Sequence, residues 1–187
     1  MKRTLALVLA AALLALVPLC VLAESDPPLS TDGWGYIGYI YGGVALAVPP
    51  DYESYEIDET FAAYGCVLLG GNADFMLQMR VFQEDDLTYD DFKEMIEQER
   101  TAEISTRMDG DSEILLYRNT KPSASSELYG IALTGLDGLF YKISIFTGAD
   151  EAFGDDAPVW SIAEAIGQTV MHQDFSEWGV EGAPDFS

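Results

Sequence analysis

The sequence predicts an α+β fold, an antiparallel β-sheet flanked by helices. Three observations point there. Short β-prone runs recur between explicit turn signals. Two of them alternate strictly: Phe75, Leu77, Met79 and Val81 share one side of DFMLQMRVF, and Leu139, Tyr141, Ile143 and Ile145 share one side of LFYKISIFTG. Two further segments carry apolar residues at helical spacing, around Phe92 and Ile96 and around Ile162 and Ile166.

The chain opens MKRTLALVLAAALLALVPLCVLAES, with two cations, an apolar run, Pro18 and a Val-x-Ala site. These are the parts of a secretory signal, cut after Ala23, so residues 1–23 are read as a signal peptide and the protein as secreted. Two anchored alternatives stand beside it. The apolar stretch from Leu5 to Ala23 is nearly long enough to span a bilayer uncleaved. Cys20 lies where bacterial lipoproteins are lipidated, although Leu19 precedes it where that signal wants Gly, Ala or Ser. Residues 24–32, polar with a Pro pair, form a linker; 33–172 form a single α+β domain; 173–187 form an acidic, aromatic tail.

Within the domain, GWGYIGYIYGG places Trp34, Tyr36, Tyr39 and Tyr41 among glycines. Gly42-Gly43 suits a two-residue turn that folds Tyr36 to Tyr41 back on Val44 to Val48. VALAV is a strand, and Pro49-Pro50 end it because proline supplies no ladder donor and restricts the residue before it. Tyr52 and Tyr55 are read as packing over the end of that strand, at the rim of the sheet. Phe61 to Leu69 is a strand closed by Gly70-Gly71-Asn72, and DFMLQMRVF is the next.

A helix follows in TYDDFKEMIEQER, where Thr88 and Asp91 have capping-box spacing and Leu87 and Phe92 that of a hydrophobic staple. Phe92, Met95 and Ile96 make its apolar stripe. Three strands come next, Glu113 to Asn119, Glu127 to Thr134 and Leu139 to Thr147, the last two joined by a hairpin turn at Leu136-Asp137-Gly138. The last helix has Asp155, Asp156 and Pro158 at its start, then Val159, Ile162, Ala163, Ile166 and Val170, with Gly167 a tolerated weak point.

Thirty-two acids face nine bases, a formal charge of −23, and loss of the signal removes Lys2 and Arg3. Such a surface repels phosphate backbones and anionic lipid, so nucleic acid and membrane surfaces are disfavoured partners. Cys66 is the one cysteine after processing, and apolar neighbours in YGCVLLGG make it a buried thiol rather than a nucleophile. The acid clusters near Asp90, Asp109 to Glu113 and Asp150 to Asp156 lack the ligand spacing of a calcium loop, so neither a metal site nor a cofactor is expected. His172 is read as a surface residue at a helix end.

The sequence holds no G-x-S-x-G, no H-E-x-x-H, no phosphate loop and one histidine, little machinery for nucleophilic or zinc chemistry. The leading reading is therefore a non-catalytic binding or accessory domain with a protein or carbohydrate partner. Its candidate surface is Trp34, Tyr36, Tyr39 and Tyr41, although packing of an edge strand is the better explanation of that strip. The rivals are a hydrolase working through two carboxylates and an acidic cation-binding spacer.

The order strand, Pro-Pro stop, two strands, helix, three strands, helix, with VALAVPPDYESYEI in front, GLFYKISIFTG late and PVWSIAEAIGQTV at the close, resembles the PsbP/Mog-like superfamily. The likeness covers roughly Gly42 to Val170 and rests on Pro49, Pro50 and Tyr52, on Tyr141-Lys142-Ile143 and on the last helix. It departs at Tyr52, where many relatives have Trp. It implies an α/β/α sandwich and a non-catalytic docking role. Known relatives assist photosystem assembly or bind a small GTPase, partners that do not transfer to an exported chain.

Overall fold

The computed structural model describes residues 29–83, 85–121, 127–147 and 158–175. The segment read as a signal, most of the stretch read as a linker, the acids at 150–156 and the stretch beyond residue 175 lie outside the described residues. Among the described residues, ten strands form two antiparallel sheets. β1 (Gly35–Tyr39), β2 (Val44–Val48) and β10 (Met171–His172) make a small sheet in the order β1-β2-β10. The larger sheet runs β3-β4-β5-β9-β8-β7-β6, from β3 (Glu53–Ser54), β4 (Cys66–Gly71), β5 (Phe75–Phe82), β6 (Ala102–Asp109), β7 (Ser112–Asn119), β8 (Glu127–Thr134) and β9 (Phe140–Thr147). With them among the described residues are α1 (Glu59–Ala63), α2 (Tyr89–Glu97) and α3 (Pro158–Thr169).

The alternation read from sequence becomes the main core. Leu77 pairs with Ile145, Met79 with Ile143 and Ile143 with Ile131, so one face of the large sheet is a continuous apolar layer. Val44, Leu46 and Val48 of β2, with Val159, Ala163, Ile166 and Val170 of α3 and its exit, cover it. Burial of side chains of this size drives the assembly at about 25 cal/mol per Å² of apolar surface removed from water. The opposite face carries Leu115, Tyr117, Ala132 and Phe140 under Phe92 of α2. The α+β class stands, with a three-stranded sheet sharing one layer with α3.

VALAV is buried on both faces because it is the middle strand of the small sheet. It thus lies across the large sheet instead of at its rim. Its connection to β1 is four residues, Ile40 to Gly43, since Tyr39 pairs with Val44. Gly42 and Gly43 are needed there for room: a Cβ on Gly42 would strike Tyr141 and one on Gly43 would strike Leu136, and Gly43 has φ +61°.

Four expectations are corrected. Phe61 opens no strand: Asp58 caps α1 by accepting from the Phe61 N–H at 2.9 Å, and Gly65 at φ +74° releases the chain into β4 at Cys66. Gly70 and Gly71 are strand residues, with the ring of Tyr52 lying over Gly70, while Asn72 makes the turn by accepting from Asp74 and Phe75. Tyr52 also stacks on Phe75 at 6.4 Å, whereas Tyr55 is exposed. Met95 is exposed, so α2 buries Phe92 and half-buries Ile96. The capping box at Thr88 and Asp91 is formed.

The strand β6 follows α2 directly and makes a hairpin with β7. Asp109 pairs with Ser112, leaving Gly110 and Asp111 as the turn, with Gly110 at φ +60°. Gly167 faces Tyr129, whose ring a Cβ there would meet at 2.9 Å. Close approach of α3 to the sheet explains that glycine.

Candidate functional site

The four aromatics proposed as a surface do not act as one strip. In β1 the side chains alternate, so Ile37 and Tyr39 turn inward onto the main core with Trp34 packed nearby, while Tyr36 remains 53% exposed. Tyr41 sits beyond the strand in the turn and is 57% exposed. The structure brings Tyr39 and Tyr41 together, ring centroids 5.6 Å apart, with Tyr141 6.0 Å beyond Tyr39.

That turn is held firmly. Gly42 O accepts from the Leu136 N–H at 2.9 Å and Gly43 O from the Gln173 N–H at 2.8 Å. Tyr141 donates to Asp137 Oδ2 at 2.5 Å. Burial, then this bond to a carboxylate, pushes the Tyr141 phenol well above its ordinary value, so it stays a neutral donor. Burial and then the Asp137 charge raise Tyr39 too. The Leu136 side chain, 41% exposed, extends the apolar part of this end of the molecule.

The β8–β9 turn, residues 135–139, therefore has the tyrosine turn on one side. On its other side is an open cleft of about 510 Å³, lined by Gly138 and Phe140 with Asp85, Thr88, Tyr89 and Asp90 from the start of α2. Tyr89 is fixed in its wall, donating to Glu113 Oε1 at 2.9 Å and set edge-on to Phe140 at 6.4 Å. Lys93 completes that group on Glu113 at 2.5 Å. Bonds from Lys93 and then Tyr89 hold the Glu113 carboxyl below its ordinary range.

A second cluster was not foreseen. Asp109 Oδ2 accepts from the His172 backbone N–H at 2.6 Å and faces its Nδ1 at 2.9 Å, while Nε2 lies 2.6 Å from the Thr134 carbonyl. The ring thus lies between a carboxylate and a main-chain carbonyl. Arg107, two residues before Asp109 on the same face of β6, bonds the Gly167 and Val170 carbonyls at the end of α3. His172, expected at the surface, is thus a half-buried tie in β10, its side chain 12% exposed. Desolvation alone raises the Asp109 carboxyl, but the backbone and ring of His172, then Arg107, outweigh it and leave it lowered.

A third polar group joins Tyr117, Lys142 and Glu127. Tyr117 donates to Glu127 Oε1, and Lys142 meets Glu127 Oε2 at 2.8 Å. Burial, then the Glu127 charge, puts the Tyr117 phenol far up. Among the described residues the carboxyls whose pKa is displaced, Asp91, Asp109 and Glu113, all move down. Among the described residues no three His, Cys, Asp or Glu side chains gather as a metal site. Cys66 is buried, its thiol donating to Leu68 O at 3.4 Å. No helix among them is long and apolar enough to cross a membrane.

No family model matches the chain, and no curated protein matches it. Among solved structures it is similar to the solution structure of cyanobacterial PsbP (CyanoP) from Synechocystis sp. PCC 6803. Identity is 12%, the TM-score is 0.48, and the likeness covers 80% of this chain and 98% of that one.

Proposed function

We propose that the chain is an exported, non-catalytic binding or accessory domain whose contact surface is formed by the exposed side chains of Tyr36 in β1, Tyr41 in the turn after it, and Leu136. The supporting observation is preorganisation. Tyr41 is 57% exposed on a turn tied to the β8–β9 turn at Gly42 and to Gln173 at Gly43. A ring held in place loses little conformational entropy on binding, and tyrosine offers apolar area with a polar tip. Export is supported by the charged, apolar, cleavable start of the sequence. The partner is a protein or a carbohydrate, since rigid tyrosines suit both and the acidic surface disfavours nucleic acid.

The test is capture from culture supernatant and a glycan panel, comparing the wild-type chain with Tyr36→Ala/Tyr41→Ala. Both side chains are exposed, so circular dichroism should be unchanged. Loss of a wild-type ligand on the double variant is the expected result. Ligands retained at full affinity would remove the turn from the reading.

A further inference from the structure

We propose that the outer edge of β6 takes up an extended, basic segment of a partner protein as an additional antiparallel strand. Among the described residues the large sheet has two edges. One, β3, is two residues long and offers almost nothing to pair with. The other, β6, is eight residues long and pairs with β7 in register from Ala102 to Asp109, with no shift or bulge. Proteins ordinarily blunt such an edge with lysine, proline, a bulge or brevity. β6 has no lysine and no proline. Its one cation, Arg107, is turned away onto the carbonyls of Gly167 and Val170.

Side chains along the edge add a shelf. Ile104 and Met108, on one face of the strand, are 37% and 60% exposed. Glu103, on the other face, is exposed, as are Glu99 before the strand and Asp111 in the turn after it. An incoming strand thus meets apolar side chains on one face and carboxylates on the other and at both ends. Charge selects the occupant. A second copy would bring another chain of net charge −23 to the same edge. A strand alternating basic and apolar residues complements both faces, its main chain supplying affinity and its alternate side chains specificity. The proposal uses none of the side chains of the tyrosine turn, so either reading can fail without the other.

The probe is an acetylated, amidated octapeptide of alternating Lys and Val, titrated into the full chain while amide hydrogen exchange is followed. The expected result is saturable binding with slowed exchange confined to residues 102–109. The same peptide N-methylated at alternate positions keeps its charge and loses half its donors, and it should bind at least about tenfold more weakly. Ile104→Lys/Met108→Lys, both exposed positions, should weaken binding similarly. Equal affinity of the N-methylated peptide, protection elsewhere, an unchanged double variant, or a dimer joined through β6 in sedimentation would each overturn the proposal.

Discussion

Asp109→Ala removes the acceptor that joins β6 to β10. In the folded protein Asp109 Oδ2 takes two bonds from His172, at 2.6 and 2.9 Å, and the side chain is 27% exposed. Bonds to a charged group contribute about 1.5–3 kcal/mol each when dry, and partial exposure with solvent screening brings the pair to about 2 kcal/mol. For a domain of this size that lowers the melting temperature by about 4–8 °C. The loss has a pH signature. Because the folded pKa of Asp109 lies below its unfolded value, its stabilisation is complete above the unfolded value of about 3.9 and disappears as pH falls through the folded one. Urea unfolding of wild type and variant should therefore show a gap of about 2 kcal/mol at neutral pH that closes in acid. A gap under about 0.5 kcal/mol at neutral pH, or one that persists unchanged in strong acid, would refute the assignment of this tie.

Gly130→Ala should destabilise by about 1–3 kcal/mol in thermal unfolding, because its Cβ would enter the ring and hydroxyl of Tyr117, itself bonded to Glu127. Thr88→Ala should cost about 1 kcal/mol through the lost cap on the Asp91 N–H, read by chemical denaturation, with Thr88→Ser restoring most of it. The Cys66 thiol, 6% exposed, should react with a thiol reagent far more slowly in native protein than in denaturant, and equal rates would contradict its burial.

Much of the fold was legible where local pattern and tertiary role coincide. The strict alternation of Phe75 to Val81 and of Tyr141 to Ile145 marks strands whose one face meets the core. The capping box at Thr88 is wholly local, so four residues declare it. The failures share the opposite cause. Phe61 and its neighbours carry strand-like residues, but the side chain of Asp58 and the positive φ of Gly65 decide the segment in favour of a helix. β6 is an edge, so its residues are largely exposed and give no apolar alternation. Its usable signal was Asp109-Gly110, a hairpin dipeptide weighed only as a cation site.

The candidate site was half legible. Aromatic spacing drew attention to Trp34 through Tyr41, but only strand geometry separates Tyr39, which packs, from Tyr36 and Tyr41, which face solvent. The His172 cluster was invisible because its partner Asp109 lies 63 residues away and Thr134 lies 38 away. Phe175, assigned by composition to the tail, is 3% exposed and sits against Gly38. A glycine opposite an aromatic across one sheet leaves no mark in either local sequence.

All of these placements depend on one arrangement: the segment after α3 returns to pair with β2, making a small sheet that closes the large one. A nuclear Overhauser spectrum of the full chain tests it directly, through cross-peaks between Met171 and Ala45, between His172 and Val44, and from the Phe175 ring to Gly38. Their presence together is the expected result; their absence, with β2 amides exchanging as fast as those of an open edge, would contradict the arrangement.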